Sequence, residues 1–163
     1  MTRQWLTGLT IFCIVGSGTD GGAYFAFSTF VMRALQRLPV ETKVAAFQYV
    51  SIYAQNVWFA IALFGTGFAS IALGIYALRH HGKGYLAWAA LLYLVSLAIT
   101  FGCNVPLNNM LASVLPGSSN AAEAWSRLWG PWMAWNHART VIALASCGLF
   151  GAALMNFTHG EAR

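Results

Sequence analysis

Asp20, Tyr24 and Ser28 recur at four-residue steps, which puts them on one face if their segment is helical. Asn104 and Asn108 repeat that step in "CNVPLNNM", and "WNHAR" gathers Trp135, Asn136, His137 and Arg139 into about one helical turn. Ionisable and amide side chains inside an apolar bundle are costly unless they find partners or line a wet cavity. Asp20, His137, Arg139, Asn104, Asn108 and Asn136 are therefore the candidate site residues. Tyr24, Ser28, Asn56, Trp132 and Trp135 are the candidates to line a site for a flat aromatic guest, because such sites are mostly apolar with a few convergent polar groups.

The elements that must position these groups are membrane helices. Of 163 residues, 58% are hydrophobic and 8% charged, whereas a soluble domain has about 25% charged. Uncharged runs at 57–78 and 85–105 reach the roughly 20 residues that a bilayer requires. A third run, 140–157, follows Arg139, and a fourth, 5–32, is broken only by Asp20. The expected fold class is therefore all-α: one integral membrane domain over 1–163, built as a four-transmembrane-helix bundle. Its helices are expected at about 5–33, 55–79, 85–112 and 135–157. Arg3 ahead of an apolar stretch resembles a signal peptide, but the segment reads better as the first membrane helix.

The links differ in kind. "RHHGKG" is a tight polar turn that makes the second and third helices antiparallel neighbours. "ETKVAAFQYVSIYAQN" and "NAAEAWSRLWGPWMAWN" are amphipathic and are expected as short interfacial helices, the latter opened by a capping box from Asn120 and Glu123. Its tryptophans at 125, 129, 132 and 135 suit indoles at headgroup level, or alternatively rings around an aromatic ligand. Positive charges divide almost evenly: Arg3, Arg79, Lys83 and Arg163 on one side, Arg33, Arg37, Lys43 and Arg127 on the other. Orientation is therefore undetermined.

Other function classes are excluded by composition. The net charge of +5 comes from scattered residues, not from a basic stripe with interleaved aromatics, so nucleic acid is not a partner. Cys13, Cys103 and Cys147 lie in apolar runs without metal spacing. His80 and His81 are adjacent in a turn and His159 is in the tail, so no metal site is expected.

Depth brings the polar residues together. Asn104 lies about 28 Å along the third helix from its start near Tyr85, close to the full hydrocarbon thickness. It therefore meets Asn56, Asn136 and Arg139 at the end of the bundle opposite "RHHGKG", with Asp20 in the same half. Pro106 frees the carbonyl of Gly102 and should kink the helix there. Arg139 either snorkels to the headgroups or pairs with Asp20. Asp20 in turn either forms that ion pair or stays neutral and bonds an asparagine or Tyr24. His137 and Arg139 diverge by roughly 160° around a regular helix. Gly18 and Gly22 offer a small-residue surface for close packing of the first helix.

"GGAYFAFSTFVMRAL", "NVPLNNML" and "WMAWNHART" together resemble the anthrone-oxygenase-like membrane proteins, small four-helix proteins found largely in bacteria. The resemblance runs through nearly the whole chain in order. It implies oxidation of an anthrone to an anthraquinone with O2 and no cofactor, in a bacterial cell membrane, with Asp20 or His137 as the catalytic base and Arg139, Asn104, Asn108 and Asn136 as donors to the developing oxyanion. It maps onto Phe27, Ser28, Asn104, Pro106, Leu107, Asn108, Trp135, Asn136 and Arg139. Arg33 and Asp20 depart from the family pattern, and the acid at Asp20 bears on substrate. Two other functions fit the same residues: a membrane protein that holds a lipid, quinone or haem without chemistry, and a structural subunit. The bilayer is the expected partner, a small hydrophobic aromatic ligand a second, and homo-oligomerisation stays open.

Overall fold

The computed structural model describes residues 2–80 and 82–159, side chains 158 and 159 excepted, so His81, Arg163 and the His159 side chain lie outside the described residues. Helix α1 covers 3–36, as α-helical Arg3–Ala26, a π turn at Phe27–Val31 and a last α turn at Met32–Gln36. Helix α2 is Val40–Tyr53, preceded by Pro39, whose missing N–H costs nothing at a helix start. Helix α3 is Val57–Arg79 and carries a π turn at Ile61–Gly65. Helix α4 is Gly84–Ala112 with a π turn at Thr100–Asn104, and α5 is Ala121–His159. The turn between α3 and α4 contains Gly82 at φ 80°, a conformation that glycine adopts without strain.

The chain is all-helical, with no strand among the described residues. Among the described residues, three helices are long and apolar enough to cross a membrane: α3, α4 and α5 through Phe157, whose most apolar 18-residue windows have mean hydropathies of 1.9, 2.0 and 1.8. The first expected span falls outside this set. Asp20 and the small polar run "GSGTDGG" dilute its apolar character.

The second link is not a separate interfacial helix. It continues through Pro131 into the fourth expected span, giving one helix of 39 residues. At 1.5 Å per residue this is about 58 Å, roughly twice a hydrocarbon core. The expected capping box does not form. The Asn120 side chain accepts from Ser118 at 2.6 Å, and Glu123 pairs with Arg127 at 2.9 Å.

The extra length of α5 has a purpose in packing. Its first half, α2 and the ends of α1 and α4 close around Met32, Val44, Phe47, Leu111, Trp125, Leu128 and Trp132. Phe47 meets Trp125 and Trp132 edge-on at 6.0 and 5.6 Å, so these two indoles point inward instead of toward headgroups. Gln48 ties α2 to the end of α4 by donating to the carbonyls of Leu111 and Val114, each at 2.8 Å. A second apolar core holds the opposite end: Leu6, Leu73, Leu86, Ala89 and Phe150.

The long helices pack in a ring, α1 on α3 and α5, and α4 on the same two. Close approach depends on Gly16 and Gly21 rather than on the expected pair. A Cβ at Gly16 would collide with Thr66 of α3, and one at Gly21 would lie 2.8 Å from Leu144 of α5. At Gly18 it would make an ordinary contact, and at Gly22 it would meet nothing within 4 Å. Gly16→Ala is therefore expected to lower stability by about 1–3 kcal/mol through overpacking. Gly22→Ala should be neutral or stabilising by up to about 1 kcal/mol. Denaturant unfolding in detergent checks both, and equal effects would contradict this packing.

Candidate functional site

Between the two apolar cores lies a layer of buried polar side chains contributed by α1, α3, α4 and α5. Its centre is Arg139, only 7% exposed. The guanidinium does not snorkel. Nε and Nη2 donate to Asn136 Oδ1 at 3.0 and 2.8 Å, and Nη1 donates to Thr100 Oγ1 at 3.2 Å. Three of its five N–H groups are thus used within the protein. Its plane lies over the Tyr24 ring at 4.0 Å and near the Trp132 ring at 5.6 Å, so two aromatic faces supply the remaining surroundings.

Asn136 is the hub that joins α5 to α1. Its Oδ1 holds Arg139, while Nδ2 donates to the Tyr24 carbonyl at 2.9 Å and to Ser28 Oγ at 2.7 Å. Ser28 also meets Thr140 Oγ1 at 3.0 Å. The carbonyl acceptor at Tyr24 and the Ser28 hydroxyl flank the start of the π turn in α1. That widened turn brings Ser28 to the layer.

The π turns of α3 and α4 border the same layer. In α4 the Val105 N–H reaches back five residues to the Thr100 carbonyl, and the turn carries both buried Thr100 and buried Asn104 inward. Pro106, expected to kink the helix, sits just past this turn, at the start of the final helical segment. Asn104 Nδ2 donates to the Trp132 carbonyl at 3.2 Å, and Asn108 Oδ1 accepts from Trp132 Nε1 at 2.7 Å. Trp132 therefore joins the two asparagines to the aromatic cap above them.

Asp20 takes neither of the expected partners. It is fully buried and forms no ion pair with Arg139, nor a hydrogen bond to an asparagine or to Tyr24. Its Oδ2 accepts instead from the hydroxyl of Tyr93, across the ring of helices on α4. That hydroxyl also lies 3.0 Å from the Leu63 carbonyl and 3.4 Å from that of Ala62, both in the π turn of α3. Tyr93, Thr66 and Thr100 were not singled out from sequence. A signal existed for one of them: Ser96, Thr100, Asn104 and Asn108 form a strict four-residue stripe through an otherwise apolar run.

Three expected site residues lie elsewhere. His137 is exposed on the outside of α5, as the divergence from Arg139 requires, and Trp135 is 43% exposed. Asn56 caps α3: its Oδ1 accepts from the Phe59 N–H at 3.0 Å, and its Nδ2 donates to the Tyr53 carbonyl. The layer thus retains Asp20, Tyr24, Ser28, Asn104, Asn136 and Arg139, with Asn108 and Trp132 at its edge. Among the described residues, no three His, Cys, Asp or Glu side chains stand close enough to hold a metal ion.

Among the described residues, four buried oxygens in or beside this layer have no hydrogen-bond partner: Asp20 Oδ1, Tyr24 Oη, Thr66 Oγ1 and Asn104 Oδ1. With the unused N–H groups of Arg139, they are the acceptors and donors that the fold leaves unmatched in its interior. Buried unsatisfied groups are costly, and their concentration in one layer marks that layer as the candidate site.

Asn136→Ala should cost about 3 kcal/mol or more, because it strands the guanidinium of Arg139 as well as removing its own bonds. Asn56→Ala should cost about 1 kcal/mol, as loss of a helix cap. Unfolding titrations of both variants in the same detergent would expose any reversal of this order.

Comparison with known proteins adds one finding. Residues 44–149 match the family model described as anthrone oxygenase, well over half of the chain. The matched stretch contains Tyr93, Thr100, Asn104, Asn108, Trp132, Asn136 and Arg139, and it begins after Asp20, Tyr24 and Ser28. No curated protein and no solved structure matches the chain.

Proposed function

The chain belongs to the anthrone oxygenase family, and from that premise we propose a membrane-embedded oxygenase that oxidises a flat phenolic, anthrone-type substrate with O2 and no cofactor. In this reading all four long helices cross the bilayer. Helix α1 packs most extensively on α5, and its outer face carries exposed Ile11, Phe12, Val15 and Phe25. Such a face matches the exposed Phe68, Trp88 and Val141 of the three more apolar helices. A bundle whose other members are in lipid leaves α1 no aqueous side to occupy.

The observation that carries the chemistry is the presence, in one buried layer, of a carboxylate with a free oxygen and a guanidinium with unused N–H groups. Asp20 takes a proton from the methylene that lies between the two aryl rings. The electron pair left on carbon delocalises onto the keto oxygen opposite, where Arg139 meets the new charge. The substrate carbanion then passes an electron to O2, and the two radicals combine to a peroxide on that carbon. Loss of the second methylene hydrogen and of water, with the proton returned from Asp20, leaves a carbonyl. The methylene carbon loses four electrons and O2 gains four, so no metal or flavin has to balance the reaction. The rings of Tyr24 and Trp132 beside Arg139 favour a planar guest over an aliphatic one.

Detergent-purified protein should be colourless and consume one O2 per anthrone converted to quinone. Asp20→Asn and Arg139→Gln should each lower kcat by about a hundredfold or more. His137→Ala should change it by less than about threefold, since an exposed side chain outside the layer contributes little. A Soret or flavin band would replace this reading with a cofactor-binding protein, and absence of O2 uptake would end the oxygenase assignment.

A further inference from the structure

Tyr93 has one hydroxyl hydrogen and three acceptors within reach: Asp20 Oδ2, the Leu63 carbonyl and the Ala62 carbonyl. No other hydrogen bond holds Asp20, and its Oδ1 is buried and unpartnered. Arg139 bears on Asp20 only through space, with no ion pair, so the hydroxyl of Tyr93 is the one side-chain donor bonded to the carboxylate. The facing groups are few. Helix α3 offers Thr66 and the two carbonyls, α4 offers Tyr93, α5 offers the charge of Arg139, and α1 itself adds Tyr24.

From this geometry we propose that Tyr93 is the positioning residue of the proton-accepting step, a donor with two settings. While Asp20 is ionised, the hydroxyl donates to Oδ2, which fixes the carboxylate plane and leaves Oδ1 as the oxygen that receives a proton. Once Oδ1 is protonated, the charge that held the hydroxyl is gone, and its hydrogen turns to the Leu63 carbonyl 3.0 Å away. Tyrosine keeps its proton throughout. One O–H···O bond is exchanged for another, and the only proton that moves is the one arriving on Asp20. The π turn at Ile61–Gly65 makes this possible by presenting the Ala62 and Leu63 carbonyls to the interior. Without that second acceptor, protonation of Asp20 would leave a buried hydroxyl poorly satisfied.

The role of this switch in turnover rests on the oxygenase reading, but the switch itself does not, and its test needs no substrate. Asp20 is the only aspartate in the chain, so carboxyl-labelled aspartate reports a single site. Full-length protein in nanodiscs, with ring-labelled tyrosine, is scanned by infrared difference spectroscopy from about pH 4 to about pH 10. The acid band of Asp20 should appear together with a shift of one tyrosine C–O band, at one common midpoint. Tyr93→Phe, which preserves ring packing, should abolish the tyrosine shift and move the Asp20 acid band. A labelled carboxyl that changes with no tyrosine response, or that stays in one form over the whole range, overturns the proposal. The wild-type spectra decide the matter even if Tyr93→Phe fails to fold.

Turnover separates the two readings. Tyr93→Phe should lower kcat on an anthrone about tenfold or more with KM unchanged, as expected for loss of a hydrogen bond to a charged group. Coupled infrared changes without anthrone oxidation would keep the switch and remove the oxygenase. Oxidation without coupled changes, or with kcat untouched in Tyr93→Phe, would do the reverse.

Discussion

A guanidinium held among helices must find dipoles to replace its water, and the demand grows when no carboxylate bonds to it directly. Arg139 is in that position, and much of the surrounding architecture follows from how it is satisfied. Asn136 gives it one oxygen for two N–H groups, Thr100 gives another, and Tyr24 and Trp132 give ring faces. Those four residues come from three helices, so a single charge fixes the mutual rotation of α1, α4 and α5. Asn136 can do this only because its own amide is anchored to the Tyr24 carbonyl and Ser28. Each layer residue is thus held by one that another has already held.

Three π turns serve the same end. They lie at Phe27–Val31, Ile61–Gly65 and Thr100–Asn104, on three different helices, and each delivers groups to the polar layer. A π turn inserts a residue, so it costs regular hydrogen bonding and is kept where it aims something. Here it aims Ser28, the Leu63 and Ala62 carbonyls, and Thr100 with Asn104. Apolar side chains shut the layer on both sides. Phe47, Trp125, Leu128 and Trp132 close one end, as Leu73, Leu86 and Phe150 close the other. A low-dielectric layer strengthens every charge interaction inside it, which is the condition oxyanion stabilisation needs.

The family match covers only part of the polar layer. The matched segment starts at residue 44, so it covers the Arg139 and asparagine half of the layer and leaves out α1. Asp20, the departure noted from sequence, belongs to the part outside the match. Its partner Tyr93 and the carbonyls of α3 lie within it. The chain therefore sets polar residues of the matched segment beside an acid that α1 brings from outside it.

Composition and periodicity suffice to place the long apolar helices, because a bilayer requires about 20 apolar residues in a row and that demand is written locally. They also suffice to bring Tyr24, Ser28, Asn104, Asn136 and Arg139 to a common depth, since rise per residue converts position into height. The divergence of His137 from Arg139 was legible in helical phase, although His137 stayed among the candidate bases. Phase is a property of one helix and needs no partner. What sequence could not supply was anything decided across helices. Asp20 faces Tyr93 rather than Arg139 because of how α1 and α4 are rotated in the ring, and no local pattern encodes a diagonal contact. The link expected at the membrane surface became the first half of α5, because Trp125, Leu128 and Trp132 found an apolar cap to fill. An amphipathic stripe states that one face will be buried. Whether lipid headgroups or protein bury it is settled only when the other helices arrive.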